Sequence, residues 1–277
     1  MSSFSTRLTS LLNIPYPIVC PPMAGACYGA LAGAVAKAGG VGFLGVGYTT
    51  DPNWIREQWA IAQETAGPNM KGKLGIGAIT WWAETKPDIL AAIVECCPEL
   101  VWFSFGDPTT LTTHFRTHLP KTLITLQLTS PTDLPTALPL NPDILVLQGL
   151  EAGGHGATTL HSIPLFTFLS SALRSLHTTH PHLPILAAGG ISTGTHIASY
   201  LTLGSDGVVL GTAFLPTHEC TLPFSAKQLL ISSSTTALST IRSKTPDRLR
   251  GIAWPDEYDF RIVRNRLTAA VDEGGEE

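Results

Sequence analysis

The chain has 277 residues, with 17 Lys and Arg against 21 Asp and Glu, so its formal net charge is −4. That balance argues against a nucleic-acid binder, which needs a basic patch or stripe. Charged residues make up 14% and hydrophobics 44%, which excludes disorder by the low-hydrophobicity, high-charge route.

No run reaches the roughly 18 apolar residues of a membrane span, so no membrane partner is expected. The opening segment MSSFSTRLTSLLNIPYP has no long apolar stretch and no small-residue cleavage site, so no signal peptide is expected. Five cysteines are odd in number and sparse, and Cys96 and Cys97 are adjacent, which is poor geometry for a mutual bridge. They read as reduced thiols of a cytoplasmic protein. No CxxC and no Cys/His spacing suggests a metal site.

Short apolar runs rich in β-formers recur along the chain. The first, Pro17 to Cys20, ends in Pro21-Pro22-Met23-Ala24-Gly25. A small-residue helix over Leu31 to Lys37 follows, stopped by Gly39-Gly40. The second run is Val41 to Leu44, and a helix opened by Asp-Pro covers Asp51 to Ala66. The third is Leu74 to Ile79. A helix over Pro87 to Cys97 precedes the fourth, Leu100 to Phe105. The fifth is Thr122 to Leu126 and the sixth Asp143 to Leu147. A helix over Pro164 to Leu176 precedes the seventh, Pro184 to Ala188. A helix over Gly194 to Leu203 precedes the eighth, Gly207 to Leu210.

These runs are continuously apolar rather than alternating, as strands buried on both faces should be. Strand–helix alternation repeated eight times in about 200 residues predicts an α/β fold, a closed (β/α)8 TIM barrel. An open doubly wound sheet is the other architecture, but no GxGxxG follows the first strand. The barrel is expected over 1–214. Residues 215–277 read as a small C-terminal helical appendage packed on it. Helices are expected over Thr221 to Ile241 and Asp259 to Val271, with a break at Ile252 to Pro255 and frayed acidic residues from Asp272 to Glu277.

Barrel active sites lie at the C-terminal strand ends, and the unusual clusters of this chain fall there. Gly189-Gly190 after the seventh strand sits just before a helix N-terminus, and Gly211-Thr212 follows the eighth. Free N–H groups at such loops make an anion site, and a phosphate between loops seven and eight recurs in barrels. After the sixth strand comes QGLEAGGHG, 148–156. Gln148 can hydrogen-bond a polar ring edge, and Gly153-Gly154 permits close backbone approach to a flat ligand. His155 sits beside this loop with an intrinsic pKa suited to a base or anion partner. The other eight histidines read as surface or core residues. Glu151 reads as a loop-holding carboxylate. Trp81-Trp82, Ser104 and Gly106-Asp107 are candidates for pocket walls.

These residues resemble the nitronate monooxygenase family. The resemblance rests on PIVCPPMAG (17–25), AGGVGFLG (38–45), GIGAITW (75–81), FSFGDP (103–108), DILVLQGLEAGGHG (143–156), PILAAGGIS (184–192) and LGSDGVVLGTAFLPTHEC (203–220). Tail pieces at Asp247 to Gly251, Trp254-Pro255 and Arg264-Asn265 resemble fungal-type members. Many bacterial members carry Asn on the third strand, where this chain has Ala78 or Ile79, and Arg after the His, where it has Gly156.

The resemblance implies an FMN-dependent barrel enzyme, most simply one oxidising nitronates or nitroalkanes with O2 to a carbonyl compound and nitrite. By it Gly189, Gly190, Gly211 and Thr212 hold the phosphate. Met23, Ala24 and Gln148 flank the flavin, Gly153 and Gly154 pass close to it, and His155 is the active-site histidine. Two alternatives stand beside this reading. One is an FMN-dependent NAD(P)H-using reductase of enones, quinones or enoyl thioesters, and the other is a non-catalytic flavin binder.

Overall fold

The computed structural model describes residues 5–232 and 239–268. In chain order the elements are α1 (Arg7–Leu12), β1 (Ile18–Cys20), α2 (Gly29–Ala38), β2 (Val41–Gly45), α3 (Pro52–Ala66), β3 (Lys73–Ile79), α4 (Thr80–Ala83), α5 (Pro87–Glu95), β4 (Leu100–Ser104), α6 (Thr109–His118), β5 (Leu123–Leu128), α7 (Leu134–Ala137) and β6 (Ile144–Gln148). There follow β7 (Gly154–Ala157), α8 (Leu165–Thr179), β8 (Ile185–Ala188), α9 (Gly194–Leu203), β9 (Gly207–Val209), α10 (Phe224–Ile231), β10 (Thr240–Ser243), α11 (Thr245–Arg250) and β11 (Tyr258–Val263). Strands β1 to β6, β8 and β9 close an eight-stranded parallel barrel, with β9 paired to β1. The expected (β/α)8 architecture is the one observed.

Two apolar layers follow from strands buried on both faces. Inside the barrel pack Val19, Phe43, Leu100, Trp102, Val146 and Leu186. Outside, residues such as Val101, Phe103 and Leu147 meet the helices. Helix α1, which the strand pattern does not reveal, brings Leu8 and Leu12 into the interior cluster. Arg7 anchors it, donating from Nε to Asp206 Oδ1 at 2.8 Å, while Asp206 Oδ2 accepts from the Ile185 amide at 2.9 Å. The N-terminal end of the barrel is thereby closed, and the C-terminal rim is left for chemistry.

Helix α2 is built from small residues because α3 lies almost against its backbone. A Cβ on Gly33 would stand 2.5 Å from the Ala62 carbonyl oxygen and 2.6 Å from Thr65 Cβ. All five cysteines are free, with Cys20, Cys27 and Cys220 buried.

The C-terminal region departs from expectation. Of the helix expected over Thr221 to Ile241, Phe224–Ile231 is helical, Thr240–Ser243 is a strand, and residues 233–238 lie outside the described residues. Where a helix was expected from Asp259 to Val271, strand β11 occupies Tyr258–Val263, and residues 269–271 lie outside the described residues. Its sequence, Tyr-Asp-Phe-Arg-Ile-Val, alternates with period two, which is a strand signature rather than a helical one. The expected fraying of Asp272 to Glu277 lies outside the described residues.

The partner of β11 is also unexpected. It pairs antiparallel with β10 on one side and on the other with β7, the Gly-His-Gly-Ala stretch read above as a flexible glycine setting. Arginines hold this sheet together and fasten it to the loop after β6. Arg242 donates from Nε to Asp259 Oδ1 at 2.6 Å and from a terminal nitrogen to the Ala157 carbonyl at 3.1 Å. Arg261 reaches the Leu150 carbonyl at 2.9 Å.

The α2–α3 contact yields a stability test. Gly33→Leu should overpack it and cost about 1–3 kcal/mol, seen as a melting temperature lower by roughly 2–10 °C. An unchanged melting temperature would show that the two helices can separate freely.

Candidate active site

The loops after β1, β6, β8 and β9 converge at the C-terminal rim. A Cβ placed on Gly211 would lie 3.8 Å from Met23 Sδ, and one on Gly153 would lie 3.1 Å from Thr212 Oγ1. Gly189 and Gly190 have φ of +130° and +67°, open to glycine and strained for other residues. Cβ positions there would meet Ala152 N at 3.1 Å and Glu151 Cβ at 3.2 Å. Ala24 lies exposed on the same rim, with its Cβ 2.9 Å from a Cβ built on Gly47. Helix α9 begins beside these loops, and a Cβ on its first residue, Gly194, would meet nothing within 4 Å. The rim here is made of backbone, glycine and one hydroxyl.

Glu151 lies beside these loops, its Cβ 3.2 Å from a Cβ built on Gly190. Its oxygens accept from the Leu165 amide at 2.8 and 3.1 Å, at the start of α8. Its loop-holding part is therefore played against a helix N-terminus rather than against glycine N–H groups.

Gln148 ends a chain of hydrogen bonds that rises through the barrel. Trp102 Nε1 donates to Gln127 Oε1, Gln127 Nε2 donates to Gln148 Oε1, and Gln148 Nε2 donates to the His155 carbonyl, each at 3.0 Å. The amide that sequence alone assigns to a ligand edge also fixes the backbone of the histidine.

His155 stands on β7 opposite Phe260. Its Nε2 lies 3.0 and 3.1 Å from the carboxylate oxygens of Asp247 on α11. The two side chains are 10% and 5% exposed. The imidazole stacks on Trp254 at 3.6 Å and 12°, and Trp254 Nε1 donates to Tyr48 Oη at 2.6 Å. Neither Asp247 nor Trp254 was selected from the sequence, although both lie in tail pieces that carried the resemblance. Burial pulls the His155 pKa down to about 4, Asp247 and Asp259 oppose that shift, and Arg250 adds to it. The ring is neutral at physiological pH.

Aromatic side chains wall the site. Phe105, held at φ +64°, meets Trp254, Tyr258 and His155 with ring centroids 5.1, 5.3 and 6.2 Å apart. Trp81 packs on Trp254 at 5.4 Å, and Trp82 on Tyr48 at 5.6 Å. Behind Phe105 lies a cavity of about 260 Å³ between the ends of β4 and β5, under Tyr258. Ser104, Gly106 and Asp107 line it, as does the buried and unpartnered Thr80 hydroxyl. None of the residues assigned above to cofactor binding lines this cavity. Among the described residues no cluster of His, Cys, Asp and Glu could hold a metal, and no helix is long and apolar enough to cross a membrane.

The burial of His155 gives a titration test. Its ring resonances should show the neutral form from pH 7 to about pH 5, with a midpoint near 4. Trp254→Ala, by admitting water, should move that midpoint up toward the ordinary value of about 6.5. A wild-type midpoint at the ordinary value would contradict the burial described.

A family model for nitronate monooxygenases matches residues 5–69 and 69–255. A nitronate monooxygenase of Metarhizium robertsii is 32% identical over 255 residues, covering 85% of this chain and 69% of that protein. One from Paraburkholderia phytofirmans is 33% identical, covering 82% and 70%. Among solved structures, a nitroalkane oxidase from Streptomyces ansochromogenes superposes with a TM-score of 0.77 at 25% identity, covering 95% of this chain and 81% of that one. FabK from Thermotoga maritima shares the fold, with a TM-score of 0.81 at 24% identity over 98% of this chain and 78% of that one. With its barrel, its rim of glycine loops and a matching family model over nearly its whole length, the chain belongs to the nitronate monooxygenase family.

Proposed function

We propose that this enzyme is an FMN-dependent nitronate monooxygenase acting on small nitronates or nitroalkanes with O2. The observation that carries the reading is one rim that brings glycine loops and the start of a helix together with a buried, neutral histidine. Membership in the nitronate monooxygenase family supports it.

The residues present fit the phosphate of FMN. Gly189 and Gly190 take positive φ that only glycine adopts without strain, Gly211 and Thr212 come from the adjoining rim loop, and α9 begins four residues after Gly190. An anion there gains from helix N–H groups and the helix dipole. Glu151 is turned to the start of α8, where both its oxygens accept from the Leu165 amide. Met23, Ala24, Gln148, Gly153 and Gly154 are assigned to the ring. When bound, the flavin supplies the electron acceptor and the reaction with O2.

The protein's own part is electrostatic and steric. His155 removes the proton from the carbon bearing the nitro group of a neutral nitroalkane. A preformed nitronate has no such proton to lose and does not call on this base. The aromatic wall of Phe105, Trp81 and Trp254 shields the reacting carbon from water. The overall products are a carbonyl compound and nitrite.

Two substitutions test this reading. His155→Ala should leave the protein folded and yellow, because the phosphate grip lies in other loops. Turnover of a neutral nitroalkane should fall by roughly 10²–10⁴-fold, and turnover of the preformed nitronate by less. Equal activity on both substrates would show the histidine to be structural. Gly190→Asp should lose flavin, since it sets a side chain and a negative charge against the phosphate. Full occupancy in that variant would overturn the phosphate assignment.

A further inference from the structure

Asp247 is the one carboxylate hydrogen-bonded to His155 among the described residues, and it touches no other side chain by hydrogen bond. An ionised carboxylate only accepts, so Nε2 must carry the hydrogen between them. A neutral imidazole has a single N–H, and Nδ1 is then a bare lone pair. Nδ1 has no hydrogen-bond partner among the described residues. The ring is not free to turn over. Trp254 covers one face at 3.6 Å, Phe260 sets its edge 4.6 Å away, and Gln148 holds the backbone through the His155 carbonyl. Turning the ring by half a rotation would set a carbon against the buried carboxylate and leave it without its donor.

We propose that Asp247 is a positioning residue that locks His155 in the Nε2–H tautomer, making Nδ1 the atom that accepts the substrate proton. The proposal rests on the reading of the site as that of a nitronate monooxygenase. In the step concerned the C–H bond beside the nitro group breaks and its proton passes to Nδ1. The electron pair stays on the substrate as the nitronate, and nothing is oxidised or reduced. The imidazolium so formed keeps its Nε2–H on Asp247, which offsets its charge in a buried setting. A preformed nitronate has no such proton to lose, so its turnover does not depend on the tautomer.

The charged groups facing the ring are few. Asp247 and Arg250 come from α11 and Asp259 from β11, and Arg242 already pairs with Asp259. Arg250 is drawn over Phe260, 5.7 Å from its centroid. Asp247 is therefore the group able to dictate where the imidazole hydrogen sits.

The test uses the full chain with flavin bound and ¹⁵N-labelled histidine. At pH 7 the wild-type spectrum should show His155 with Nε2 protonated and Nδ1 bare. In Asp247→Asn the side-chain amide can donate, so the opposite tautomer should become populated. Turnover of a neutral nitroalkane should then fall on the order of 10²–10⁴-fold, as loss of the orienting carboxylate does in hydrolase triads. Turnover of the preformed nitronate should change less than about tenfold. Asp247→Glu, which keeps an acceptor, should restore the wild-type tautomer and part of the nitroalkane rate. A wild-type spectrum with Nδ1 protonated would overturn the proposal. So would an Asp247→Asn variant that loses both activities equally while its tautomer stays unchanged. Should Asp247→Asn fail to fold, the wild-type and Asp247→Glu spectra decide the matter. If the wild type turned over neither substrate, the functional reading would fail while the spectra still decided the tautomer.

Discussion

The pairing of β7 with β11 is the constraint on which the site depends. Without it the stretch from Gly153 to Ala157 is a glycine-rich loop, and His155 has no fixed direction. With it, four residues become a strand whose register sets His155 opposite Phe260. The same pairing draws α11 and Trp254 over the barrel mouth, so that Asp247 and an indole face arrive at one imidazole. The barrel supplies the floor through the Trp102–Gln127–Gln148 chain, and the tail supplies the roof. A histidine held from both sides keeps one orientation, which is what preorganisation would require of the base proposed for it.

Electrostatics at this site is a contest between burial and pairing. Taking the imidazole out of water disfavours its charged form, and the carboxylate beside it favours that form. Burial wins here, so the ring is neutral and available as an acceptor. The carboxylate matters most once a proton arrives, because a buried imidazolium without a partner is costly. Burial thus opposes proton uptake by the ring, and Asp247 offsets part of that cost. Arg242 keeps Asp259 occupied, which leaves Asp247 as the hydrogen-bonded partner of the ring.

Much of this was legible in the sequence, and the reasons are local. Continuous apolar runs marked the eight barrel strands because each is buried on both faces. Glycine pairs at the strand ends marked the rim, since Gly189 and Gly190 adopt positive φ that other residues avoid. What stayed hidden was non-local. The period-two alternation from Tyr258 to Val263 was present, yet a helix was expected there. The strand character of Gly154 to Ala157 could not be seen, because two glycines in four residues weaken any strand signal. Asp247 lies 92 positions from His155. No spacing rule joins them, and only the long-range sheet does. The local signal for both residues lay in the tail pieces Asp247 to Gly251 and Trp254-Pro255.

The central claim is that this rim serves a flavin that takes electrons from a nitronate. Anaerobic mixing of the purified, flavin-loaded protein tests it most directly, with the flavin absorbance followed after addition of a nitronate or of NADPH. The account predicts rapid bleaching by the nitronate, slow or no bleaching by NADPH, and nitrite release once O2 is admitted. Rapid bleaching by NADPH with none by the nitronate would contradict it and make the protein a reductase built on the same loops.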